Sequence, residues 1–185
     1  MEYPIHRHRS VTTGAEYILV PKCGCNSMRD AINRSNAGGS RVPVNFVFTF
    51  VRHPLARFVS AYVEKVQTGK VHILMPKWKN HLSPNMSAAE FLDFIVGFPH
   101  DQELLNDHFC PQSWLLRHVE LDFVGRLENV AEDWKVLMER GLPELPHLHK
   151  TPNVKPWQDM LDESTEQKAR EFYRDDFDRW PGWWK

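Results

Sequence analysis

The sequence predicts an α/β protein in three layers, built on a central, mainly parallel sheet flanked by helices, and three observations carry that prediction. Two short β-branched and aromatic runs, EYILV (residues 16–20) and NFVFTFV (residues 45–51), each pass directly into a helical pattern, as strands feeding crossover helices do. A third run, DFVGR (residues 122–126), does the same. Repeated strand-then-helix order favours parallel strands covered by helices. The 185 residues suffice for one domain, taken as 1–185 with its core over about 16–180.

The elements follow from local chemistry. After the first strand the chain turns through VPKCGCNSM into DAINRS, which reads as helix, with Asn26 and Ser27 suited to its start. After the second strand, PLARFVSAYVEKVQTG opens with proline and ends in glycine, and Phe58, Ala61, Tyr62 and Lys65 stand at helical spacing. The 70–84 stretch mixes aromatics, lysines, prolines and histidines without a period and reads as a loop of the kind that covers substrates. Ser87 with Glu90 forms a capping box for SAAEFLDFIVG, and Ser164 with Gln167 is read as a second one for KAREFYRDDFDRW. The third strand leads into a helix over about 130–140, with Gly141 just past its end.

Composition narrows the function. A formal charge of -1 disfavours nucleic-acid binding as a bulk property, so an anion site has to be local. No apolar run approaches the roughly 18 residues of a membrane-spanning helix, and MEYPIHRHRS has no hydrophobic signal region, so a soluble, cytoplasmic protein is expected. Cys23, Cys25 and Cys110 lack the usual zinc spacing and are expected to be reduced thiols.

The strand-to-helix turn at VPKCGCNSM is the first candidate site. A helix N-terminus presents N–H groups without intrahelical partners and a partial positive charge, Gly24 allows close backbone approach, and Lys22 adds a full charge. Phosphate or sulfate is the ligand such a turn suits. It is not the Walker A pattern, because the lysine precedes the glycine. Arg52, at the end of the second strand, and Ser60, on the next helix, offer a two-pronged guanidinium and a hydroxyl for a second phosphate.

These stretches together resemble a known family. PKCGCNS is similar to the 5′-phosphosulfate loop (PKxGxTS-like) of sulfotransferases, and RHPLARFVSAY to their 3′-phosphate motif (RxPxxRxxSxY). DHFCPQSWLL followed by LDFVGRLENVAEDW resembles the later half of the membrane-type carbohydrate sulfotransferases (sulfotransferase family 2-like), and DESTEQKAREFYRDDFDRW their closing helix, so the likeness spans most of residues 17–180. The resemblance implies a P-loop-like fold that passes a sulfuryl group from 3′-phosphoadenosine 5′-phosphosulfate (PAPS) to an acceptor hydroxyl on a carbohydrate or small molecule. It implies that Lys22, Gly24, Cys25, Asn26 and Ser27 cradle the 5′-phosphosulfate, that Arg52 and Ser60 hold the 3′-phosphate, and that no metal is required. Asn26 stands where the family usually has threonine, an amide in place of a hydroxyl.

Several alternatives compete. A nucleotide-dependent kinase would need magnesium and normally a Walker B acid, which neither VFTFVR nor FVGRLE provides. A non-catalytic nucleotide-binding module would keep the donor residues and need no base. For the base, His108 in NDHFCPQSW is the first choice, because imidazole accepts a proton near neutral pH; His53, His72 and His81 are the others. Against catalysis, Asp107 could cap the turn before Pro111 and His108 could bond its backbone. Arg57 reads as structural, His147 and His149 as loop residues, and the closing WPGWWK as a terminal segment packed on the core.

Overall fold

The computed structural model describes residues 3–37, 41–70, 81–98, 105–146 and 155–184. His72, His147, His149 and most of the expected covering loop lie outside the described residues, as do residues 151–154. The chain separates into two compact units: a sheet unit, Pro4–Arg52 with Leu116–Lys150, and a helical unit, Met1–Tyr3 with His53–Leu115 and Thr151–Lys185.

The sheet unit contains four strands in the order β1 (Arg7–Arg9), β2 (Ala15–Ile18), β3 (Phe46–Val51) and β4 (Phe123–Arg126). β2, β3 and β4 are parallel, with Ala15 opposite Phe46 and Phe48 opposite Phe123, while β1 runs antiparallel to β2. The predicted α/β class with a mainly parallel sheet and helices packed on it is therefore present. β1 was not anticipated: its sequence, RHR, has none of the apolar alternation that marks a strand. It is an edge strand, and charge on an edge discourages pairing with another chain.

Helix α1 (Cys25–Ser35) covers the sheet with Met28, Ala31 and Ile32, which join Tyr17, Phe46, Phe48, Phe50, Trp134 and Leu137 in one buried cluster. Its aromatic rings interlock, Tyr17 stacking on Phe48 at 5.4 Å and Trp134 lying against Phe50 at 5.8 Å. Gly125 on β4 is required by this packing, since a Cβ there would stand 2.3 Å from the Phe50 ring. The helix expected over 130–140 forms as two short ones, Val130–Asp133 and Lys135–Glu139, on either side of Trp134. The Asp133 carboxylate accepts from the Arg126 N–H and the Asn129 side-chain amide, which ties the first of them to the end of β4.

In the helical unit, α2 (Pro54–Ala61) continues as a π-helical segment, Tyr62–Gln67, so the predicted long helix is present with a widened second half. α3 (Ala88–Val96) begins at the predicted capping box: Ser87 accepts from the Glu90 N–H, and the Glu90 carboxylate accepts from the Ser87 N–H. The second predicted box is corrected. Helix Glu163–Phe172 is capped by Asp162, whose carboxylate accepts from the Thr165 N–H at 2.7 Å, because aspartate at the N-cap reaches the N–H three residues on. The closing helix breaks at Tyr173, with a second segment over Arg174–Arg179. The Phe58, Phe91, Tyr62 and Tyr173 rings pack together here, and Trp180 is buried, as expected of a packed terminal segment.

Candidate functional site

Parallel pairing of β2 with β3 brings their carboxyl ends to one edge, and the first candidate residues emerge there. The turn between β2 and α1 has two left-handed residues, Lys22 (φ 71°) and Gly24 (φ 77°). Glycine adopts this conformation freely, whereas for lysine it is uncommon and costs about 1–2 kcal/mol. Among the described residues Lys22 is the one non-glycine residue held this way, and such outliers cluster where a ligand is gripped.

Gly24 is the N-cap of α1 and, being glycine, makes no side-chain capping bond, and Cys25, Asn26 and Ser27 form the first turn. The helix thus starts one residue earlier than Asn26 and Ser27 suggested. Cys25 is half-buried, Ser27 is buried, and Asn26 is exposed with its side-chain oxygen accepting from Arg29 at 3.2 Å. Beneath the turn lies Tyr17, fully buried, its phenol pushed well above the usual range by burial and then by the Cys25 and Cys23 thiols. Arg52 follows β3, half-buried, and its guanidinium reaches the Lys22 carbonyl at 3.4 Å, the outer limit of a hydrogen bond. The sheet unit therefore assembles an ammonium, a guanidinium and a helix N-terminus at one strand edge, a donor set suited to a multiply charged anion.

The helical unit carries the other candidates. Ser60 is buried on α2. His108 is half-buried in the segment before the short helix α4 (Gln112–Leu115), and its backbone N–H donates to the Asn106 side-chain oxygen at 3.0 Å. A backbone N–H can only donate, so that Asn106 atom is the oxygen. The ring Nδ1 lies 3.0 Å from the same oxygen and 2.9 Å from the Asp107 carboxylate. An Nδ1 facing two acceptors carries the proton, which leaves Nε2 as the basic nitrogen. Asp107 thus orients the ring, the arrangement a general base needs.

The alternatives fare differently. His53 is 8% exposed, stacked on Trp157 at 5.2 Å and edged by Phe177 and Trp184, which marks it as a packing residue. His81 is exposed against Phe94. Cys23 and Cys110 are buried, the Cys110 thiol pushed up to about 12 by burial, and all three cysteines are free. Among the described residues no three His, Cys, Asp or Glu side chains converge as metal ligands, and no helix is long and apolar enough to cross a membrane.

Residues 15–181 match the sulfotransferase family model. The chain belongs to the sulfotransferase family. Carbohydrate sulfotransferase 14 of Danio rerio is 29% identical over 117 residues, covering 54% of this chain and 31% of that protein. The chain thus spans about a third of the length of this curated relative. No solved structure is significantly similar.

For a sulfotransferase, the features that sequence reasoning missed are conformational or tertiary. The left-handed Lys22 carries no sequence signal, since lysine is not selected for that geometry. The part of Asn106 and Asp107 in fixing the His108 tautomer could have been suspected from NDH, three successive hydrogen-bonding side chains. Arg57, read as structural, is 1% exposed and donates to the Asp107 carbonyl at 2.6 Å and the Cys110 carbonyl at 2.7 Å.

Proposed function

We propose that the protein transfers a sulfuryl group from PAPS to an acceptor hydroxyl, on a carbohydrate or a small molecule. The observation that carries this reading is the left-handed Lys22 turn at the start of α1, with Arg52 against it, in a chain of the sulfotransferase family. The named carbohydrate sulfotransferase relative favours a carbohydrate acceptor.

The donor, when bound, would supply the sulfuryl group and a bisphosphate leaving group. Lys22 and the amides of Cys25, Asn26 and Ser27, with Gly24 allowing close approach, neutralise charge on the 5′-phosphosulfate side. Arg52 and Ser60 hold the 3′-phosphate, which separates this donor from ATP. His108 takes the acceptor's proton at Nε2, its Nδ1–H held by Asp107. Catalysis is then in-line positioning and charge stabilisation, as in phosphoryl transfer.

The test is calorimetric titration with 3′-phosphoadenosine 5′-phosphate beside ATP and 5′-AMP, followed by turnover with PAPS on a carbohydrate and small-molecule panel. Tight binding of the bisphosphate alone and magnesium-independent transfer are expected. Preference for ATP with magnesium dependence would make the protein a kinase. Bisphosphate binding without turnover on any acceptor would leave a binding module.

A further inference from the structure

The segment 106–113 is gripped by buried side chains from two helices of the helical unit and from the break between its closing helical segments. From α2, Arg57 donates to the carbonyls of Asp107 and Cys110. Tyr173, between the two closing helical segments, donates to the Phe109 carbonyl at 2.7 Å. Asp176 accepts from the N–H groups of Gln112 and Ser113 at 3.0 and 2.7 Å. Arg57, Tyr173 and Asp176 are each at most 1% exposed. Burying a guanidinium and a carboxylate is costly, and burial indeed raises the Asp176 carboxyl above its usual range, opposed first by the N–H groups of Ser113 and Gln112 and then by Arg57. An apolar cover would leave the backbone carbonyls and N–H groups of this segment buried without these partners, which is costlier still. These side chains fix its backbone, and the residues between the two carbonyls held by Arg57 are His108 and Phe109.

We propose that Arg57, assisted by Tyr173, is a positioning residue for the proton acceptor: its fork sets the Asp107–His108 backbone so that Asp107 meets Nδ1 and Nε2 is left basic. The inference rests on the reading of His108 as the base. Geometry explains why arginine is needed. The two carbonyls it holds are three residues apart, and a planar guanidinium spans both with separate N–H groups, which a lysine ammonium on a flexible stem does not reproduce. Phe109 and Cys110 also donate their N–H groups to the Asn106 carbonyl, closing a tight turn whose carbonyls at Asp107, Phe109 and Cys110 accept from Arg57 and Tyr173.

The test uses Arg57→Lys, Tyr173→Phe and His108→Ala in the full chain, read by thermal melting, calorimetry with 3′-phosphoadenosine 5′-phosphate, turnover on an accepted substrate, and nitrogen NMR of the His108 ring. Arg57→Lys is expected to keep donor-product affinity within about twofold and to lower kcat about 10- to 100-fold, the scale of a small misplacement of a reacting group. The NMR signal of His108 should lose its single Nδ1–H tautomer. Combining Arg57→Lys with His108→Ala should be no slower than His108→Ala alone, because one acts through the other. Unchanged kcat and an unchanged His108 tautomer in Arg57→Lys would overturn the proposal, as would additive losses in the double variant. If Arg57→Lys does not fold, Tyr173→Phe decides: a loss of about 2- to 10-fold in kcat with a mixed tautomer supports it, and wild-type values on both overturn it. Wild-type turnover in His108→Ala would remove the base reading, whereas the tautomer shift reports on positioning whether or not His108 is the base.

Discussion

Replacing Arg52 with alanine separates the donor assignment from general anion binding. The side chain is half-buried and its guanidinium reaches the Lys22 carbonyl at 3.4 Å, so folding of the variant has to be checked beside its binding. A charge-assisted contact to phosphate is worth about 1.5–3 kcal/mol, and partial access of water to Arg52 favours the lower half of that range. The affinity for 3′-phosphoadenosine 5′-phosphate should therefore fall about 10- to 50-fold, while that for 5′-AMP, which lacks the 3′-phosphate, changes less than about twofold. Calorimetry of both ligands at one ionic strength, with a melting curve to confirm folding, measures the difference. Equal weakening of the two would show that Arg52 does not read the 3′-phosphate.

Four other outcomes follow from the geometry. Lys22→Ala should lower kcat more than donor affinity, since the ammonium's interaction strengthens as charge develops on the leaving group; an unchanged kcat removes it from the chemistry. Lys22→Gly should lose the same activity yet be no less stable than wild type in urea, because relief of about 1–2 kcal/mol of left-handed strain outweighs the roughly 0.4–1 kcal/mol that glycine adds to unfolded-chain entropy. A thiol reagent at neutral pH should label Cys25 in the native protein and Cys23 and Cys110 only after denaturation, with 3′-phosphoadenosine 5′-phosphate slowing the first reaction; mass spectrometry of the labelled peptides reads the order. Gly125→Ala should destabilise by about 3 kcal/mol or more, because its Cβ meets a Phe50 ring packed on all sides, and a melting temperature near wild type would contradict that packing.

Most of the fold was legible because its signals are local. β2, β3 and β4 are read from short β-branched runs, α3 from the Ser87–Glu90 box, and α2 from its first-turn proline, each a property of a few adjacent residues. The departures have local causes too: a charged edge strand without apolar alternation, an aspartate that caps one helix ahead of the expected serine, and a helix divided at a buried Trp134.

The sequence by itself determined the α/β class, the strand-to-helix turn carrying Lys22 and Gly24, and the pairing of that turn with Arg52, because residue type, spacing and chain order are enough to place a cation and a helix N-terminus at the ends of parallel strands. Only the tertiary structure decided that Lys22 is left-handed, that His53 is enclosed by aromatic rings, that the Nδ1 of His108 faces Asp107, and that Arg57 holds backbone carbonyls fifty and fifty-three residues away. Those facts depend on which groups are buried together, and burial is what makes an unmet hydrogen bond costly enough to fix a side chain in one place.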